Sequence, residues 1–260
     1  MKKTILSHFY NEEYLLPWWL KHHKRFFDHG IMIDYNSTDK SCSIIKDICP
    51  TWDIVKTRNQ YFDSEVIDRE VEYYESLVDG WRVCLNTTEF LVGDYRYLDV
   101  ISNMPQCQIL LGNMIFVDTE KSKLDFNAPL YNQITNGFIE DVNGIYHLGI
   151  GSRAFRSMHN FAINYPPQGG RHFHGPSNVK NLIIFYYGYL LGVNKMLHRK
   201  TQIQNNMSAH EYSRFPQGHP NIVNKSLFID RITRHQLPKC SDMTTEIQRL
   251  IKLQDRFICK

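Results

Sequence analysis

The sequence predicts an α/β fold with a mostly parallel central sheet flanked by helices, and two observations support this. The first is that apolar runs of strand length alternate with helical periodicity from residue 4 to residue 46. The second is that polar residues follow directly where each apolar run ends. Strands that alternate with helices form parallel sheets, and such sheets bind ligands beyond the carboxyl ends of their strands. An irregular and helical extension is predicted at the C-terminal end.

The opening unit has the order strand, helix, strand, helix. Residues 4–9 are predicted as a strand, and Asn11 as the cap of a helix with Glu12 and Glu13 in its first turn. Residues 31–33 form the next strand, and the polar loop 34–39 opens onto a second helix. The packed face of the first helix is marked by residues at helical spacing, namely Leu15, Trp18, Trp19, His22 and Phe26.

Further elements follow the same reasoning. Strands are predicted at 52–57 and 80–85, one or two strands within 104–117, a short strand at 146–150, and a strand or a helix at 179–190. Helices are predicted at 63–77, 195–206 and 243–257, and 160–177 is predicted to be irregular. We interpret residues 1–120 and 121–260 as two halves of one domain.

The composition narrows the functional class. Thirty basic and 27 acidic residues give a net charge of +3, which provides no argument for a nucleic-acid partner. The six cysteines lack metal-site spacing, so a reducing, cytoplasmic location is expected. The N-terminus lacks a secretory signal, and no apolar run reaches the roughly 18 residues that span a bilayer. A soluble protein is therefore expected.

One segment is depleted of acids. No Asp or Glu occurs from residue 142 to residue 210, whereas this segment contains seven Lys or Arg residues and six histidines. A cleft between this half and the acid-bearing first half would hold an anion on its basic wall. The alternative is that the segment forms a cationic outer surface.

The predicted helix 63–77 offers a related choice. Its acids at 65, 68, 72 and 75 share one face, which is typical of a solvated surface. The alternative is that one of them, Asp68 first, turns toward the ligand cleft.

Several of these motifs together resemble a known family. Asn11-Glu12, residues 16–20, His22-His23 and the loop 34–39 are similar to the N-terminal signature of family 2-like glycosyltransferases, which have the GT-A fold. Glu89-Phe90-Leu91 stands where that family carries Asp-x-Asp-Glu-Phe-Leu, and the resemblance covers residues 4–95. It implies transfer of a hexosyl or pentosyl group from a nucleotide sugar, typically UDP-linked, to a glycan or other hydroxyl acceptor.

The resemblance also implies roles for individual residues. Phe9, Asn11 and Glu12 would line the nucleoside pocket, Asp34 would bind the base, and Asp39 would shape the same loop. Asn86 stands at the first Asp of Asp-x-Asp, near the ribose or sugar, and Thr88 stands at the second, the usual metal ligand. In the acid-free segment, the residues expected to meet the diphosphate are Arg153, Arg156, His159, Arg171 and His172.

The expected metal site departs from the family pattern. A divalent ion such as Mn²⁺ or Mg²⁺ prefers carboxylate oxygens, and Asn86-Thr87-Thr88 supplies none. Three explanations compete: Glu89 binds the metal with His159 or His172, or cationic residues replace the metal, or the protein is a catalytically silent relative that binds a nucleotide sugar or glycan.

The catalytic base is the least determined residue. Inverting members use an acid downstream of Asp-x-Asp, and here Glu140 and Asp141 lie just before the acid-free segment. Asp141 is the first candidate, with Glu140 and Glu89 next; a histidine base or a retaining mechanism remain alternatives. A metal hydrolase built on the histidines is a third functional class, supported only by the spacing of His172 and His174.

Overall fold

The computed structural model describes residues 1–101, 104–121, 123–140, 154–166, 170–172, 176–204, 206–214 and 225–258. Ten strands lie in these ranges: β1 (Lys3–Phe9), β2 (His29–Asp34), β3 (Asp53–Lys56), β4 (Trp81–Cys84), β5 (Glu89–Gly93), β6 (Gln108–Val117), β7 (Asn136–Ile139), β8 (Ala154–His159), β9 (Leu182–Tyr189) and β10 (Ser241–Asp242).

The α-helices in the same ranges are α1 (Leu16–His23), α2 (Ser41–Ile48), α3 (Ser64–Ser76), α4 (Arg96–Val100), α5 (Gly192–Gln204), α6 (Ala209–Arg214), α7 (Lys225–Asp230) and α8 (Thr244–Ile258). A π-helical segment, Arg231–Gln236, continues α7, and short 3-10 turns occur at Leu130–Asn132 and Leu237–Lys239. None of these helices is both long enough and apolar enough to cross a bilayer.

The sheet confirms the predicted α/β class. Its strand order is β10-β7-β6-β8-β4-β1-β2-β3, and β9 joins β5 to β6. The central strands β4, β1, β2 and β3 are parallel, while β8 pairs antiparallel with both β4 and β6. Because parallel strands end at one edge, the polar residues that follow β1 to β4 are brought to the same side.

Several predicted boundaries need correction. Asn11 does not cap α1: the helix begins at Leu16 without a side-chain cap, and Asn11 has a φ of 51°. Residues 89–93 form β5 and residues 154–159 form β8, and neither strand was predicted from the sequence. Residues 179–190, predicted as a strand or a helix, contain the strand β9. The predicted strand at 146–150 lies outside the described residues.

The helix α1 is attached to β5 through buried side chains. Trp19, which is fully buried, donates from Nε1 to the carbonyl of Glu89. The ring of His23 bonds the carbonyl of Trp19 through Nδ1 and accepts from the backbone N–H of Leu91 through Nε2. Burial lowers the pKa of His22 to about 4, and its Nε2 bonds the carbonyl of Leu91. The histidine pair of the signature is therefore neutral and structural.

Candidate functional site

A cavity of about 640 Å³ opens at the carboxyl edge of the parallel strands. Its volume falls within the usual range for small-molecule sites, about 300–1,000 Å³. Residues after β1, β2, β3 and β4 line it together with parts of α3, β8 and α5. Nine of the predicted site residues line this cavity: Phe9, Glu12, Asp68, Asn86, Thr88, Glu89, Arg156, Arg171 and His172.

The loops after β1 and β2 are braced against each other. Asn11 accepts through Oδ1 from the backbone N–H groups of Thr38 and Asp39, at 2.7 and 3.3 Å. The carboxylate of Asp39 accepts from the backbone of Glu13, and Asp34 accepts from the backbone of Ser37. Asn11, Asp34 and Asp39 are not among the residues that line the cavity, whereas their loop neighbours Tyr10, Glu12, Tyr35 and Asn36 are.

Glu89 is held in a closed hydrogen-bonding arrangement at the cavity wall. Its Oε1 accepts from Arg156 Nη2 at 2.8 Å and from Asn86 Nδ2 at 3.0 Å. Its Oε2 accepts from Arg156 Nε and from the backbone of Asn86, both at 2.9 Å. The exposed fractions of the Arg156 and Glu89 side chains are 1% and 0%. This bidentate pair connects β5 to β8 and uses two acceptor positions on each carboxylate oxygen.

Two further ion pairs connect the halves of the chain. Arg171 donates from Nε to Asp68 at 2.6 Å, and both residues line the cavity. Arg199 on α5 donates to Glu12 at 3.3 Å. The expected separation into an acidic and a basic wall is therefore incorrect, because acids of the first half neutralise these cations of the second.

The cavity wall contains buried polar atoms that lack a hydrogen-bond partner within the described part of the chain. They are Glu12 Oε2, Asn86 Oδ1, Arg156 Nη1 and Arg199 Nε. Leaving such atoms unpaired costs about 1 to 3 kcal/mol each, and more where the group is charged. Their convergence on one cavity indicates a polar ligand that supplies both donors and acceptors.

Lys200 adds the cation that is not neutralised. It follows Arg199 on α5, lines the cavity, and has no carboxylate within salt-bridge distance among the residues described. Desolvation, together with the positive charges of Arg199 and Arg231, lowers the pKa of the Lys200 ammonium to about 7, with Glu12 acting in the opposite direction. An anionic ligand would offset these effects and stabilise the charged form of Lys200.

Another part of the cavity wall is organised by Glu70 of α3. Its buried carboxylate accepts from Tyr35 Oη at 2.8 Å, Thr57 Oγ1 at 2.7 Å, the backbone of Arg58 at 2.8 Å and Asn59 Nδ2 at 2.9 Å. Asn59 also donates from Nδ2 to Tyr35 Oη at 3.4 Å, so Oδ1 is the Asn59 atom that remains to accept from a ligand. Tyr35 and Asn59 line the cavity.

Other predicted residues are placed elsewhere. Glu140 accepts from Asn113 on β6 and does not line the cavity. His159 is fully buried beside Glu75, at 3.6 Å, and is also absent from the cavity lining. Asp141 and Arg153 lie outside the described residues, so their predicted roles stay predictions.

The donor set does not fit the divalent metal that the resemblance implies. Both oxygens of Glu89 are engaged by Arg156 and Asn86, and Thr88 offers only a hydroxyl. No group of three or more His, Cys, Asp and Glu side chains in the described ranges could hold a metal ion. The proposed pairing of Glu89 with His159 therefore lacks support in this geometry.

Five residues were not predicted from the sequence to belong to the site, namely Tyr35, Asn59, Glu70, Arg199 and Lys200. Arg199 and Lys200 belong to the acid-free segment, and that signal was visible. Glu70 gave no signal, because an acid on a polar helix is expected to face solvent.

A short bridge closes one side of the cavity. Phe62 and Met207 pair as parallel backbone segments, and Asp63, which caps α3, accepts from Ser208 Oγ at 2.7 Å and His210 Nδ1 at 2.8 Å. Burial by itself would raise the pKa of Asp63, but the bonds from Ser208 and His210 outweigh it and hold that pKa below its ordinary value.

We expect the contribution of Asp63 to stability to depend on pH. A carboxyl whose pKa is lowered by folding stabilises the fold above its unfolded value of about 3.9, and that contribution is lost as pH falls through the lower folded value. The difference in unfolding free energy between the wild type and Asp63→Asn should therefore be present at neutral pH and shrink in acid below about pH 4. The exposed Asp47→Asn is the control; an equal response from both variants would contradict the assignment.

The fold and the cavity together define an α/β protein with a polar, mixed-charge ligand site at the carboxyl edge of its sheet. No protein-family model and no curated protein sequence matches the chain. Solved structures with a similar fold were found at low identity. Staphylococcus aureus TarS 1-349 in complex with UDP has a TM-score of 0.41 at 10% identity, covering 90% of this chain and 72% of that chain.

HddC from Yersinia pseudotuberculosis has a TM-score of 0.32 at 10% identity, covering 84% of this chain and 87% of that chain. Glucosyl-3-phosphoglycerate synthase from Mycobacterium tuberculosis, in complex with Mn²⁺, UDP and glucosyl-3-phosphoglycerate, has a TM-score of 0.29 at 12% identity, covering 46% and 44%. The chain spans 39% of the length of another TarS structure.

Proposed function

We propose that the chain is a glycosyltransferase that moves a sugar from a nucleotide-sugar donor, typically UDP-linked, to a hydroxyl of a glycan or other acceptor. The observation that supports this most is the clustering of unpartnered buried polar atoms and the unneutralised Lys200 in one cavity at the carboxyl edge of the sheet. A nucleotide sugar offers hydroxyls, a base and a diphosphate, which match both the acceptors and the donors of this wall. Glu12 and Tyr35, from the segments that resemble family 2-like glycosyltransferases, line the same cavity.

We assign the base and the diphosphate of the donor to different groups of cavity residues. Asn59 Oδ1, near Tyr35 and Phe62, would accept from a base N–H, and Arg156 with Lys200 would face the diphosphate. In the reaction, the bond between the anomeric carbon and the diphosphate oxygen breaks, and a bond forms from that carbon to the acceptor oxygen. The acceptor proton passes to a base, for which Asp141 remains the proposed residue. The nucleoside diphosphate leaves with the bonding electrons, and cations stabilise it.

A thermal-shift screen of UDP- and GDP-sugars, each with EDTA and with Mn²⁺, tests the binding part. A ligand at 100 times its Kd stabilises the folded state by about 2.7 kcal/mol, so a rise in Tm of several degrees is expected for a UDP-sugar. Uridine without phosphates is the matched control and should shift Tm less. If no nucleotide sugar raises Tm under either condition, the proposal fails.

The second candidate is a binding protein without catalysis, because Glu89 and Asp68 are both committed to ion pairs. It predicts the same thermal shifts. It differs in predicting that the donor is never hydrolysed, even slowly, in the presence of the protein.

A further inference from the structure

We propose that the cavity binds the diphosphate of its ligand through Lys200 and Arg156, without a divalent cation. This inference rests on the proposed function, because it assigns the phosphate-binding groups of the same nucleotide site. It departs from what the resemblance implies, which is a metal bound by carboxylates at the positions of Asn86 and Thr88.

The first argument is that the position of a metal ligand is already occupied. Glu89 is the acid nearest to the expected metal motif, and all four of its hydrogen bonds come from Arg156 and Asn86. A cation placed there would have to displace a guanidinium from a fully buried carboxylate. The replacement would exchange one charged partner for another while breaking both hydrogen bonds of the bidentate pair, so it offers no gain.

The second argument concerns the remaining hydrogen-bond donors. Arg156 is 1% exposed, and two of its three nitrogens bond Glu89, whereas Nη1 has no acceptor in the described part of the chain. The guanidinium lines the cavity between Glu89 and Phe155. A phosphoryl oxygen is the kind of acceptor that an arginine fork binds best, and it would satisfy this nitrogen.

The third observation is that the positive charges on α5 are only partly neutralised by acids. Arg199 is neutralised by Glu12, but Lys200 faces the cavity with the cations Arg199 and Arg231 near it and Glu12 as the opposing acid. Because the other cavity arginines, Arg69, Arg156 and Arg171, are paired with acids, Lys200 supplies the positive charge that a diphosphate needs. A lysine ammonium is a compact charge suited to phosphate.

Isothermal titration calorimetry with UDP and with inorganic pyrophosphate, each in EDTA and in Mn²⁺, tests the proposal. The wild type should bind both ligands with the same affinity under the two conditions. Lys200→Gln should weaken both ligands about tenfold, which corresponds to the loss of one charge-assisted hydrogen bond, whereas Lys200→Arg should retain most of the affinity. Lys195→Gln is the matched control, because Lys195 lies on the same helix and is exposed, and it should leave binding unchanged.

A proton measurement distinguishes a direct role of Lys200 from a structural one. The free protein holds Lys200 mostly deprotonated at about pH 8, since its pKa is lowered to about 7. A bound diphosphate raises that pKa, so binding should take up a proton, and the apparent binding enthalpy should vary with the ionisation enthalpy of the buffer. Lys200→Gln should abolish this uptake; uptake that persists in the variant would overturn the role of Lys200.

Arg156 is tested with the double variant Glu89→Gln/Arg156→Met, which removes both charges and avoids leaving one buried alone. It should remain folded, as judged by its unfolding transition, and lose pyrophosphate affinity in EDTA. Undiminished binding by this variant would overturn the role of Arg156.

The outcomes also separate this inference from the proposed function. Binding of UDP only when Mn²⁺ is present would overturn the metal-free site and leave a nucleotide-binding function intact. Binding of pyrophosphate in EDTA with no preference for UDP would support the phosphate site and contradict the nucleoside part of the proposed function. If neither ligand binds under either condition, both proposals are wrong.

Discussion

Arg156→Met is expected to destabilise the protein by about 3 to 5 kcal/mol, the range measured when one partner of a buried ion pair is removed. The reason is that Glu89, which has 0% exposure, would keep its charge without the guanidinium that now bonds both of its oxygens. Only the backbone and side-chain amides of Asn86 would remain as donors. The free energy of unfolding in urea, at neutral pH, measures the effect.

Replacing both charged residues of the same pair is the control for this prediction. Glu89→Gln/Arg156→Met should recover most of the loss, since replacing both charges is often near neutral. The partly exposed, bidentate pair of Arg96 with Asp94 provides the matched comparison, and Arg96→Met should cost no more than about 1 kcal/mol. Equal losses in Arg156→Met and Arg96→Met would show that the pair between β5 and β8 is not a buried structural element.

Glu70→Ala is expected to lower both stability and nucleoside selectivity. Four donors would lose their acceptor, namely Tyr35, Thr57, Asn59 and the backbone N–H of Arg58. Water would replace the acceptor for some of these donors. Hydrogen bonds to a charged acceptor contribute about 1.5 to 3 kcal/mol each and are not additive, so we expect a total loss of about 2 to 4 kcal/mol. Urea unfolding gives this value.

The selectivity readout is the ratio of UDP to pyrophosphate affinity. Because Glu70 fixes the Asn59 amide with its Oδ1 available to a base, the variant should lose UDP affinity more than pyrophosphate affinity. Glu246→Ala, which breaks a partly exposed pair with Arg249 on α8, is the matched helix control. It should leave the ratio of UDP to pyrophosphate affinity unchanged and lower the free energy of unfolding by no more than about 1 kcal/mol. A Glu70→Ala variant that keeps the wild-type ratio would argue against a nucleoside end near Asn59.

The central architecture was predictable because it depends on local patterns. Apolar runs of strand length and helical spacing placed β1, α1, β2 and α3 within a few residues of their observed bounds. The gathering of polar residues at one edge then followed from parallel strand geometry. The strand β8 escaped detection because it carries Arg156 and His159, which are polar residues buried by partners distant in the chain.

The pairing of charges was not predictable for the same physical reason. Glu89 and Arg156 are 67 residues apart, Asp68 and Arg171 are 103 apart, and Glu12 and Arg199 are 187 apart. The composition showed that residues 142–210 carry cations but no acids, and this suggested opposing walls. Only the fold shows that Arg156, Arg171 and Arg199 of this segment meet acids of the first half as ion pairs. Among the described residues that line the cavity, Lys200 is then a cation without such a partner.

The release of nucleoside diphosphate from a nucleotide sugar in the absence of an acceptor is the measurement that shows whether this cavity breaks the donor's glycosidic bond. We expect slow release by the wild type from a UDP-sugar, saturable in donor, unaffected by EDTA, and reduced about tenfold by Lys200→Gln but not by Lys195→Gln. Absence of release from every nucleotide sugar, with Mn²⁺ as well as with EDTA, would contradict the assignment of this cavity to glycosyl transfer.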